Sequence, residues 1–294
     1  MKNLMTPLLK GTILSGFISC LLPLHAASLS EPFKQYWYAG DAELTSYNIK
    51  QARYGELHEG TGVLVYVTEP FLAKEQVKAD NHQADNIPVL KLNSTKKFLT
   101  GIYPYSIMSS TFSPVSNEGH AVKASLSVQE WCGHVFTQIN NRQQFDVNSY
   151  SYFEGEADQR FSIDKENLEN EIWTKIRLNP NELPLGDLQM VPSLEYLRLL
   201  HKPLKAYSVK TSLINSGETS TYTLEYPTLL RTLSIEFNNK FPYVIQGWKD
   251  TYKSGFDENA KVLTSSAEKI NTIKSKYWQK HNNIDMKLRK ELGL

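Results

Sequence analysis

The chain of 294 residues is short of cysteine: it has two, Cys20 and Cys132. An internal disulfide framework is excluded if the first is lost, and so is a zinc site built from several thiolates. It is also short of net charge, at +1 with 32 basic and 31 acidic residues. A binding mode dominated by nucleic-acid phosphates needs a basic patch, and none stands out. Nowhere is there an uninterrupted apolar run of the ~20 residues that a membrane-spanning helix requires. The metalloprotease pattern His-Glu-x-x-His is missing around Glu56, His58 and Glu59, and no Gly-x-Ser-x-Gly elbow occurs. Gly60-Thr61-Gly62 has neither the further glycine nor the Lys-Ser/Thr of a phosphate loop, and reads as a bend before a valine-rich strand.

What is present begins with an address. Lys2 and Lys10 precede an uncharged stretch, Gly11 to Leu24, and Ala26 supplies a small residue for cleavage. A charged start, a short apolar run and a small-residue exit describe a secretory signal peptide over residues 1–26. The sequence therefore predicts a periplasmic or extracellular protein with a mature chain of residues 27–294. Phe17-Ile18-Ser19-Cys20 offers a second route, acylation of Cys20 to give an outer-membrane lipoprotein. Loss of Lys2 and Lys10 takes the formal net charge from +1 to −1.

The mature chain is patterned mostly with period two, the spacing of a half-buried strand. Ala42 to Ile49, Gly62 to Thr68, Val89 to Asn93, Tyr105 to Phe112 and one long run from Ala121 to Ile139 all fit. Asn140 to Gln143 is turn chemistry before Phe145 to Phe153, and Arg160 to Ile163 adds a short strand. Strands resume at Lys205 to Leu213 and Thr219 to Tyr226, then at Thr232 to Phe237 and Tyr243 to Trp248 around an Asn238-Asn239-Lys240 turn. A central helix is expected after an Asp164 cap, with Leu168, Ile172, Trp173 and Ile176 on one face and Pro180 as its bound. Residues 178–203 take no clear assignment. Ser265 and Glu268 fit a capping box ahead of Ile270, Ile273, Tyr277, Ile284 and Leu288, so a C-terminal helix is expected over about 265–292. The fold class is α+β: one predominantly antiparallel β domain, a curved sheet or half-barrel, with a short central helix and a C-terminal helix.

Chemistry concentrates in Gln129-Glu130-Trp131-Cys132-Gly133-His134-Val135-Phe136. Read as one strand, it puts Glu130, Cys132, His134 and Phe136 on one face and Trp131 and Gly133 on the other. That face has three readings. Cys132 is a small buried hydrophobe, with Gly133 leaving room for a neighbouring ring; or the four residues line a ligand cavity; or Cys132, His134 and Glu130 form a thiol-dependent hydrolytic site. Glu154, Glu156 and Asp158 could offer oxygens to calcium, but without a loop pattern they read as a solvated turn. No metal site and no cofactor are expected.

The stretches YWYAGDAELTSYNIKQARYGELHEG, TGIYPYSIMSS, QEWCGHVFTQ, YFEGEADQRF and EIWTKIRLNP resemble an uncharacterised bacterial envelope family, similar across nearly the whole mature chain. Some members carry the label "septum formation inhibitor Maf". That label implies a cytosolic nucleotide pyrophosphatase of α/β fold, with a Ser-x-Ser-Pro-Arg-Arg type loop after its first strand. The nearest match here, Thr111 to Val115, has neither arginine and lies mid-chain. With 16 Tyr, 12 Phe and 5 Trp to face a core or a ligand, the expected function is non-catalytic binding of a lipid or other amphipathic ligand, or of an envelope protein partner. No nucleic-acid partner is expected.

Overall fold

The computed structural model describes residues 30–81 and 83–294. The signal peptide, its cleavage site and Cys20 lie outside the described residues. A short helix, α1 (Glu31–Trp37), leads into a meander. Its strands are β1 (Ala42–Arg53), β2 (Glu56–Leu72), β3 (Val77–Lys78), β4 (Ile87–Thr100), β5 (Tyr103–Pro114), β6 (Lys123–Glu130), β7 (Gly133–Asn141), β8 (Phe145–Ser151) and β9 (Gln159–Ile163). Then come β10 (Asn167–Leu168), α2 (Glu169–Leu178), β11 (Gly186–Val191) and α3 (Leu194–Leu199). A second meander follows: β12 (Tyr207–Ser216), β13 (Thr219–Tyr226), β14 (Arg231–Asn238), β15 (Ile245–Ser254) and β16 (Lys261–Ser275), closed by α4 (Met286–Glu291).

Both meanders belong to one sheet, because β16 pairs with β1. The order runs β10-β11-β12-β13-β14-β15-β16-β1-β2-β4-β5-β6-β7-β8-β9, with β3 beside β2. Every pairing is antiparallel except the two-residue β10–β11 contact. This is not the parallel-stranded α/β architecture that the pyrophosphatase label implies.

So many strands do not stay flat; twist curls a large sheet. Here it curls around α2. The Tyr66 hydroxyl on β2 donates to the Trp173 carbonyl, and Ser113 on β5 meets Thr174 at 2.6 Å. On the far side, Arg231 on β14 pairs with Glu169, and Trp248 on β15 packs edge-on against Trp173. One helix is thus held from strands in both halves of the order, and a single core joins Leu92, Leu126, Ile172, Ile176, Tyr222 and Ile235. The barrel does not close. β9 and β10 end the order without pairing to each other, and this seam positions the site described below.

Several sequence expectations need correction. The run from Ala121 to Ile139 is two strands, β6 and β7, joined at Trp131–Cys132. Gly60 and Gly62 lie inside β2, not in a bend. A Cβ on Gly60 would stand 2.2 Å from the Lys97 carbonyl oxygen, so only glycine lets β2 and β4 approach there. The helix at the centre starts at Glu169, later than an Asp164 cap would place it; Glu171 reaches back to the Leu168 amide at 3.3 Å. The helix expected over 265–292 shrinks to α4, and its first part is β16. The cause is a register shift between Thr45 and Tyr47 on β1, where β16 carries one residue more. Past that bulge, Ile270 and Ile273, three apart, both serve the outer face under the C-terminal segment: Ile270 approaches Gly293, and Ile273 lies with Leu288 and Leu292. A bulged strand thereby imitates helical spacing.

Candidate functional site

The hairpin comes first, because the sequence concentrates its chemistry there. With only Trp131 and Cys132 in the loop, Glu130 pairs with Gly133, Gln129 with His134 and Val128 with Val135. Directly opposed residues share a face, so the turn reverses the parity a continuous strand would have. Glu130 points inward and is buried, as are Val135 and Thr137. His134 and Phe136 point outward and are exposed. Cys132 sits in the turn and is exposed, contrary to the buried reading. The four residues therefore do not share a face, and Cys132, His134 and Phe136 line no enclosed space. The Glu130 carboxylate accepts from the Cys132 amide at 2.6 Å, and a hydrogen bond from the thiol to the carboxylate, with the carboxylate's charge, pushes the Cys132 thiol up. That is the opposite of what a nucleophilic thiolate needs. Gly133 does leave room for a ring: a Cβ there would stand 2.8 Å from Tyr152 Cβ.

Inside the barrel, charge is paired. Arg177 from α2 makes a bidentate pair with Glu43 of β1, both contacts 2.6 Å, and lies over the rings of Trp37 and Tyr66. Tyr36 and Thr45 also donate to Glu43. Arg231 grips Glu169 at 2.7 and 2.8 Å, turns its other edge to Asp250 at 2.8 and 2.9 Å, and covers Tyr196 at 4.1 Å. Beside this network lies a space of only about 60 Å³. That is room for a few waters, not for an organic ligand. Saturated ion pairs around so small a void bind α2 and α3 to the sheet.

The seam holds a larger space of about 450 Å³, within the range of small-molecule sites. One wall is the inner face of the last strands: Val135 and Thr137 of β7, Ser149 of β8, Phe161 of β9. The other is α3 and the chain after it, through Leu194, Leu197 and Leu204. Ser193 starts α3 by accepting from the Tyr196 amide at 3.2 Å, and the leucines at 194 and 197 fall on the face turned to the barrel. At one end stand Glu156, Arg198, His201 and Lys202. Glu156 accepts from Ser151 at 2.6 Å and contacts His201 Nδ1 at 2.6 Å. Burial raises its carboxyl, but those hydrogen bonds and the charge of Arg198 outweigh burial and hold it below the usual range.

The cleft contains Glu156, expected as part of a solvated acidic turn, and six residues from the segment the sequence left unassigned: Leu194, Leu197, Arg198, His201, Lys202 and Pro203. The signal available there was Ser193 ahead of Leu194, Leu197 and Leu200, a capped amphipathic turn of helix. Among the described residues no group of three or more His, Cys, Asp or Glu side chains is placed to hold a metal. No described helix is long and apolar enough to cross a membrane.

No family model matches the chain, and no curated protein does either. A solved structure with some likeness is a β-barrel-like protein of a domain of unknown function, DUF1849, from Brucella abortus. It is 5% identical, with a TM-score of 0.41, over 80% of this chain and 98% of that one. At that score the likeness supports no inference about this chain, whose barrel-like form rests on its own strand order.

Proposed function

We propose that this protein is a non-catalytic binding protein of the bacterial envelope that takes an apolar or amphipathic ligand into the seam of its open barrel. The observation that carries this reading is the 450 Å³ cleft, in which Val135, Phe161, Leu194, Leu197 and Leu204 give apolar surface among polar side chains such as Thr137 and Ser149, with a charged end, beside β9 where the sheet fails to close. A closed barrel of this kind would have spent the same side chains on core packing. The N-terminal residues support the envelope assignment, since they fit a secretory signal. Thiol chemistry has no part in the reading, because the Glu130 carboxylate pushes the Cys132 thiol up and the turn that carries it does not line the cleft. A second reading, docking of an envelope protein partner by strand addition, draws on the edge of β9, which no strand among the described residues covers.

Native mass spectrometry of protein purified from envelope extracts tests the first reading. The wild type should carry a small-molecule adduct. Leu204→Trp, at the half-buried rim of the cleft, should lose it while folding normally. An adduct retained by the variant places the ligand elsewhere, and an edge-blocking proline in β9 that removes a protein partner favours the second reading.

A further inference from the structure

We infer that the ligand of the seam cleft carries an anionic head group, bound by Arg198, above an aliphatic body. This inference rests on the reading of the cleft as a ligand site and specifies the chemistry of what enters. Four arginines are buried among the described residues: Arg53, Arg177, Arg198 and Arg231. Arg177 and Arg231 are saturated by bidentate carboxylates. Arg53 donates to the hydroxyls of Tyr54 and Tyr105 and to the Leu199 carbonyl. Arg198 has no comparable partner. It is 8% exposed, and its Nε is buried without a hydrogen bond. Its Nη1 makes only long contacts, a weak hydrogen bond to the His201 ring at 3.4 Å and an ion pair with Glu156 at 3.6 Å, the second beyond hydrogen-bond distance. Glu156 is already engaged by Ser151 and His201.

A buried guanidinium with unmade hydrogen bonds is costly unless something completes them. Its planar fork matches a carboxylate or a phosphate. Phe153 supports the guanidinium from one side, with Cζ 4.3 Å from the ring centre. Lys202 adds a second cation at the same end of the cleft, and Leu194, Leu197, Leu204, Val135 and Phe161 supply the apolar length beyond it. The facing acids are Glu156 and the inward-pointing Glu130; the facing cations are Arg53, Arg198, Lys202 and, when protonated, His201. Positive charge is in excess around Arg198. An anion there meets charge-assisted donors, and its chain follows the leucine wall toward β9.

Calorimetric titration of the wild type with decanoate, decyl phosphate and decanol, all below micellar concentration, separates the cases. Acetate and inorganic phosphate probe the head group alone. Decanoate or decyl phosphate should bind at least tenfold tighter than decanol, and acetate and inorganic phosphate should bind far more weakly than either. Arg198→Gln should abolish the preference and leave decanol binding within about twofold; Arg198→Lys should retain part of it. Equal affinities for acid and alcohol in the wild type would overturn the anionic head group and leave the cleft reading intact, with no need of a variant. Tight binding of inorganic phosphate alone would replace the amphiphile with a free anion. Binding of none of the three decyl compounds would overturn both inferences.

Discussion

Single residues decide how the hairpin at Trp131–Cys132 behaves. Cys132 is reachable from solvent, yet the neighbouring Glu130 carboxylate disfavours its thiolate. Native protein should therefore be alkylated by iodoacetamide at neutral pH without unfolding, but slowly for an exposed thiol. Glu130→Gln removes the opposing charge and should speed the reaction severalfold. A protected thiol in the native state would contradict the exposed turn. Two glycines make a sharper comparison. Gly60→Ala drives a Cβ to 2.2 Å from a backbone carbonyl held in the sheet, whereas Gly133→Ala meets the side chain of Tyr152, which is largely exposed. Overpacking typically costs about 1–3 kcal/mol, and Gly60→Ala should reach or exceed the top of that range while Gly133→Ala costs less, because the exposed Tyr152 just past the end of β8 can shift. Denaturant titration of both variants checks the order. The inward direction of Glu130 was readable from alternation along β6. The fate of Cys132, His134 and Phe136 was not, because a two-residue turn at Trp131–Cys132 has no glycine in its loop to announce it, and one unannounced turn reverses every face after it.

At the scale of elements, α2 is held by charge as well as by its apolar face. Removing one partner of a buried ion pair costs about 3–5 kcal/mol, because the other is left without compensation. Arg177→Met should therefore destabilise the protein strongly, and the double variant Glu43→Leu with Arg177→Met should recover much of the loss. Burial alone would raise the Glu43 carboxyl, but the Arg177 charge and hydrogen bonds to Arg177, Tyr36 and Thr45 outweigh it and hold the group below its usual range. A depressed folded pKa contributes stability above the unfolded value and loses it as pH falls through the folded one. The Glu43 contribution should be complete at neutral pH and disappear only in acid, below about pH 4. Stability curves of wild type and Glu43→Gln should thus converge as the solution is acidified through that range; a constant gap would contradict the pairing. Most strands, the central helix and the second meander were legible as alternation or helical periodicity. β16 was not, because the bulge opposite Thr45–Tyr47 places Ile270 and Ile273 on one face at a spacing that also suits a helix.

For the whole molecule, the decisive feature is that the sheet wraps but does not close. β9 and the short β10–β11 pair end the strand order, and the seam between them is where α3 and the following loop leave room for a ligand. No sequence pattern marks an unclosed seam, since each strand alternates alike whether or not its far neighbour pairs with it. The cleft joins residues far apart in the chain, Val135 with Leu204 and Ser149 with Leu197, and such distances leave no local signature. The central claim is that this seam, not the hairpin at Cys132 nor the small void beside Arg231, takes the ligand. Methyl-labelled protein titrated with decanoate and followed by NMR tests it most directly. The account predicts saturable shifts at the methyl groups of Val135, Thr137, Leu194, Leu197 and Leu204, with Leu92 and Leu233 by the inner void unmoved. Saturable shifts at Leu92 and Leu233 with the seam methyls silent, or no saturable shifts at all, would contradict it.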